Sequence, residues 1–151
     1  MTIPDCDRQI RSQQAAMDGF HASIQDAENK INELNQLRNK IANLDDVVKS
    51  AASRSYGQIS SIHSVWGKAR AAINNSFFSS VLGTIKGGEY AAAVGGLSSS
   101  IDRIDEEIRT LNHQIQQNRN NISNCKNSIS NLEYNKNILI MQKRQEQEKA
   151  Q

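Results

Sequence analysis

Apolar residues in the last third of the chain recur in alternating steps of three and four. Val94, Leu97, Ile101, Ile104, Ile108, Leu111, Ile115, Ile122, Cys125, Ile129, Leu132 and Leu139 form the row, with Asn118 and Lys136 as two polar interruptions. Such spacing places one residue per helical turn on a single face, and sustained over about six heptads it predicts a coiled-coil-like helix. The predicted helix runs from about residue 98 to 145, with Ser99 as N-cap, Asp102 three positions on, and Asp105, Glu106 and Glu107 in the early turns, where the helix dipole favours acids. The polar residues 146–151 are expected to fray.

The first third repeats the design. Ile10, Met17, Ile24 and Ile31 share one heptad position, and Phe20, Ala27, Leu34, Ile41 and Val48 share the other. This predicts a second long helix over about residues 8–55. Beyond Leu34 a further row, Leu37, Leu44 and Ala51, stands three residues from Leu34, Ile41 and Val48. The apolar stripe therefore widens or shifts phase there, and a wide stripe can touch two neighbours at once. Two helices of similar length separated by about 40 residues cover one another most simply as an antiparallel hairpin. The expected fold is an all-α, elongated antiparallel helical hairpin, coiled-coil-like, in a single domain.

Residues 57–96 form its tip and differ in character. They hold seven of the eight glycines and, with Tyr56 at their edge, five of the seven aromatic residues: Tyr56, Trp66, Phe77, Phe78 and Tyr90. Ile59, Ile62, Trp66, Ala69, Ile73, Phe77 and Val81 keep helical spacing, so this Gly/Ser-rich tip is partly helical, broken or bent near Gly57 and ended by Gly83 or by the Gly87-Gly88 pair. Gly95-Gly96 is a place for a kink. Trp66 is either packed within the tip or an anchor for a partner.

Composition narrows the classes of function. With 37% hydrophobic and only 5% aromatic residues and a mean hydropathy of -0.63, the chain has too little bulky apolar material for the thick core around which enzymes shape pockets. A single proline leaves long helices unbroken. The net charge of +2 is too weak to argue for nucleic acid, and no stretch approaches the roughly 18–20 apolar residues of a membrane span. Residues 1–12 are charged where a secretory signal needs an apolar segment, so the protein is expected to be made in the cytoplasm. One local bias stands out: no Asp or Glu occurs between Val47 and Gly88, while Lys49, Arg54, Lys68, Arg70 and Lys86 do, making the tip cationic.

Chemistry is not evident. His21, His63 and His113 are scattered and none sits at a metal-ligand spacing, and no phosphate-binding loop or nucleophile motif occurs. No catalytic residue, cofactor or metal is expected. A Cys6–Cys125 disulfide is opposed by geometry. With the turn centred between residues 75 and 87, the neighbour of Cys125 falls at about 25–49, at least roughly 30 Å from Cys6 by helical rise. Cys125 is expected buried in the seam, and Cys6 exposed on an N-terminal arm. Asn118 either fixes register as a buried polar residue or faces solvent.

A long amphipathic helix, a central Val65-Trp66-Gly67-Lys68-Ala69 element, Phe77 and Tyr90 downstream, and a long Ile/Leu heptad helix together resemble the small helical partners of LXG toxins in type VII secretion of Gram-positive bacteria, the YwqH-like family, relatives of WXG-type hairpins. Trp66 and Gly67 are adjacent here, without the intervening residue of W-x-G. The resemblance implies a non-enzymatic adaptor that binds the helical N-terminal domain of a toxin, often beside a second small helical protein, and supports export by a route independent of a signal peptide. Type VII substrates carry a Tyr-x-x-x-Asp/Glu tail signal, whereas Tyr134 is followed by Ile138 and Tyr90 by Val94. Export would then depend on a partner that carries the signal. On this reading the partner-binding residues are Trp66, Gly67 and Phe77 in the tip, Leu34, Leu37, Ile41, Leu44 and Val48 on the first helix, and Ile101, Ile104, Ile108, Leu111 and Ile115 on the last. Without the resemblance, the same seams suit a self-assembling coiled-coil scaffold.

Overall fold

The computed structural model describes residues 1–66, 79–85 and 87–150, with side chains described outside 62–66. The chain is an all-α hairpin. Helix α1 spans Ile3–Trp66 and helix α2 spans Glu89–Lys149; residues 79–85 are also helical, and no strand occurs among the described residues.

Both helices are longer than the sequence predicts, for local reasons. At the start of α1 the segment Thr2-Ile3-Pro4-Asp5 forms a capping box. Asp5 N–H donates to Thr2 Oγ1 (3.3 Å), while Asp5 Oδ2 accepts from Thr2 N–H (3.0 Å) and from Thr2 Oγ1 (2.6 Å). These bonds satisfy amides that a helix N-terminus leaves without partners, and Pro4 sits in the first turn, where its missing N–H costs nothing. α1 therefore begins before residue 8. It also continues through Gly57 without a break.

α2 likewise begins ten residues ahead of Ser99. Gly88, with φ of 53°, takes the left-handed conformation that favours glycine, and its carbonyl accepts the Ala92 N–H at 3.0 Å to open the helix. Just before it, Gly87 N–H closes on the Gly83 carbonyl at 2.7 Å. Of the two predicted breaks, the chain uses the Gly87-Gly88 pair. Ser99 is consequently no N-cap but an exposed mid-helix residue, and Gly95-Gly96 lies within the continuous helix, where Ser100 Oγ bonds the Gly96 carbonyl at 2.9 Å.

The packing divides into two compact units, Met1–Asn32 with Arg109–Gln151, and Glu33–Ile108. In the first, Ala27, Leu111, Ile115, Ile122 and Cys125 are buried and Ile10, Met17, Phe20, Ile24 and Ile31 half-buried, so the two predicted seams face each other. The helices are antiparallel: Lys136 pairs with Asp7, and Arg119 lies 3.6 Å from Glu28. In the second unit Ile104 is buried, with Leu34, Ile41, Val48, Val94, Leu97, Ile101 and Ile108 half-buried, and Arg38 pairs with Asp105.

Three expectations change or narrow. Of the widening or phase shift expected after Leu34, the stripe widens and the heptad phase is kept. The row of Ile24 and Ile31 continues inward at Arg38, Asp45, Ala52 and Ile59, all half-buried, because an uninterrupted helix keeps its phase and Arg38 finds an acid to pair with. Cys6, expected on an exposed arm, is fully buried, since capping carries the helix and its seam back to Thr2. Cys125 lies across from the His21–Ile24 stretch, which shares a groove with Ile122, Ser123 and Lys126, and so sits nearer the N-terminus than the predicted 25–49. Register follows the side chains that pair, not the midpoint of the connecting segment. Cys6 is still about 22 Å away along α1, and both thiols are free.

Candidate partner-binding surface

The second unit carries a surface that its own packing leaves open. Leu37, Leu44 and Val47 on α1 are 47%, 50% and 63% exposed, and Ala51 extends the row one turn further. They are uncovered because Arg38 and Asp45, one residue along from Leu37 and Leu44, occupy the inward heptad position. Arg38 Nε and a terminal guanidinium nitrogen grip the two oxygens of Asp105 at 2.7 and 3.2 Å. The Asp105 carboxylate holds the Arg38 pKa above its ordinary value, first through the hydrogen bond and then through its charge. Asp45 Oδ2 accepts from Lys49 Nζ at 2.6 Å one turn on, which raises the Lys49 pKa against the opposing effect of desolvation. The other oxygen, Oδ1, is buried with no hydrogen-bond partner. Two charged side chains thus take the inward positions that the apolar pattern suggested for leucine.

The predicted partner-binding residues separate into distinct groups. Ile104, Leu111 and Ile115 are 7%, 5% and 5% exposed, buried by the chain itself. Ile101, Ile108, Leu34, Ile41 and Val48 are half-buried along the seam. Leu37 and Leu44 are the members left open. Trp66 is the last residue of α1 with its side chain outside the described residues, and Gly67 and Phe77 lie outside them altogether. In the surface row the structure adds Val47, which breaks the three-and-four rhythm of the inward seam but stands one turn beyond Leu44. A second exposed row, Tyr134, Ile138 and Met141, lies on α2 in the first unit, at 67%, 37% and 60%. Its spacing of four and three was visible in the sequence, off the phase of the main seam.

No family model, curated protein or solved structure matches the chain.

Among the described residues no group of three or more His, Cys, Asp and Glu is placed to hold a metal, and no helix is long and apolar enough to cross a membrane. His113 Nε2 lies 3.0 Å from the Gln117 side-chain amide on an exposed helix surface, and exposed His21 borders an open groove. The polar seam residues differ in what they do. Lys136 is matched across the hairpin by Asp7, whereas Asn118 is half-buried and makes no hydrogen bond to α1. Among the described residues its amide finds no hydrogen-bond partner.

Proposed function

We propose that this chain is a non-enzymatic adaptor that binds the helical N-terminal domain of an LXG-type toxin, beside a second small helical protein, and supports its export by type VII secretion in a Gram-positive bacterium. The observation that supports this reading is the apolar row Leu37, Leu44 and Val47, left uncovered on a hairpin whose main seam is already occupied. An amphipathic helix laid along that row buries its own apolar face at the same time, which is how helical partners dock in grooves and on open helix faces. On this reading the protein is made in the cytoplasm and leaves with a toxin that carries the Tyr-x-x-x-Asp/Glu tail signal.

Co-expression with the neighbouring open reading frames, followed by purification through a tag on this chain, tests the proposal. A stoichiometric complex that Leu37→Asp with Leu44→Asp breaks, while the circular dichroism of the adaptor is unchanged, is the expected result. Recovery of this chain without any toxin under those conditions removes the adaptor reading.

A further inference from the structure

The open row on α1 is flanked by charges of opposite sign at its two ends. At about 100° per residue, Leu37, Leu44, Val47 and Ala51 share a face with Glu33 before them and Arg54 after them, within an arc of about 100°. Lys40 lies within the same arc, between Leu44 and Val47 in angle. All of these residues belong to the second unit, Glu33, Lys40 and Arg54 are exposed, and none of the three makes an ion pair among the described residues.

This order is self-complementary in one direction only. If two copies pack their α1 faces antiparallel about a two-fold axis at Leu44, each residue lies opposite the one equally far on the other side of Leu44. Leu44 then meets Leu44, Leu37 meets Ala51, and Lys40 lays its methylene stem over Val47. Glu33 comes within reach of Arg54, twice by symmetry, because antiparallel helices juxtapose flanking residues that lie on the same side of the contact. A parallel pairing sets Glu33 near Glu33 and Lys40 near Lys40 close to the contact line, which like-charge repulsion disfavours, and it brings neither Glu33 to an Arg54.

We infer that, in the absence of another partner, a second copy of this chain covers the row, in an antiparallel pairing centred on Leu44 and bracketed by two Glu33–Arg54 ion pairs. The pairing stands independently of what else binds there. Three exposed apolar side chains per copy make a small interface, so the dimer is weak, with a Kd on the order of micromolar. A weak self-contact keeps an apolar row out of water yet yields to a tighter partner on the same face.

Sedimentation of the purified full chain over a range of concentrations tests the inference. The wild type passes from monomer to dimer. Leu44→Asp stays monomeric, Glu33→Arg weakens dimerisation by about tenfold, and adding Arg54→Glu to Glu33→Arg restores it. All these positions are exposed, so the monomer fold, followed by circular dichroism, is retained. Orientation is read by oxidation. Leu44→Cys puts a thiol on the two-fold axis and gives a covalent dimer, whereas Leu37→Cys, about 21 Å from its copy in the antiparallel register, does not. A chain that remains monomeric at several hundred micromolar overturns the proposal, as does a dimer indifferent to Leu44→Asp, a double swap that fails to restore association, or cross-linking at Leu37→Cys as readily as at Leu44→Cys. These outcomes concern self-pairing; toxin binding is read separately, by co-purification.

Discussion

Thr2 and Asp5 decide where the hairpin begins. Both bonds from Thr2 favour the ionised carboxylate, so they hold the Asp5 pKa below its ordinary value of 3.8, the side-chain hydrogen bond foremost. A depressed carboxyl contributes stability above its unfolded pKa and loses it as the pH falls through the folded value. Protection of the first-turn amides, measured by hydrogen exchange, should therefore be flat above pH 5 and fall in the acid range below 3.8, and Asp5→Ala should abolish that dependence. Cys6, fully buried one residue further on, owes its position to the same cap. A second contrast tests the division between core and surface. Ile115→Ala removes a side chain that is 5% exposed and should cost about 2–5 kcal/mol, lowering Tm by roughly 5–15 °C. Leu37→Ala, on the open row, should change stability by no more than about 0.5 kcal/mol. A large loss from Leu37→Ala in a thermal melt would mean that the row is core.

At the scale of the helices, glycine carries two unlike roles. A Cβ added at Gly95 or Gly96 meets nothing within 4 Å, and both sit inside α2 with helical backbone. Replacing either with Ala should raise stability by about 1 kcal/mol, the usual difference between these residues within a helix. A Cβ at Gly87 falls 2.6 Å from the Gly83 carbonyl oxygen, and Gly88 holds a positive φ, so Ala at either position should destabilise the chain. Thermal melts of the four variants should therefore split into two directions. The heptad rows were legible in the sequence because a seam needs one apolar residue per turn, and every member of the α2 row, Val94 through Leu139, is buried or half-buried. The helix ends were less so. Gly95-Gly96 and Ser99 read as a boundary, but neighbouring packing outweighs glycine's modest helical cost, and the actual break needed a left-handed residue, which among the described residues only Gly88 supplies. The Thr2–Asp5 box was readable as a Ser/Thr-x-x-acid signature with proline in the first turn.

For the molecule as a whole, its own seam and the open row answer different questions. Cross-helix pairs, Lys136 with Asp7 in one unit and Arg38 with Asp105 in the other, select the antiparallel register; the open row bears on what the hairpin meets. If, as proposed, self-pairing and a toxin helix use the same face, adding the toxin's helical domain should convert the homodimer into a hetero-complex without unfolding it. A sedimentation experiment in which the toxin binds and the homodimer persists would show that the two use separate faces.

What the sequence determined by itself was the all-α hairpin and the identity of its seam, since periodicity is a property of the chain that survives any arrangement of neighbours. It also indicated a surplus of apolar residues between Leu34 and Ala51. Which of them remain exposed was decided by tertiary structure alone. Arg38 and Leu37 are adjacent, and hydropathy would turn the leucine inward, but the phase fixed by the rest of the helix and the acid waiting at Asp105 bring the arginine in and leave Leu37 facing out. A partner across the gap is information that no local pattern holds.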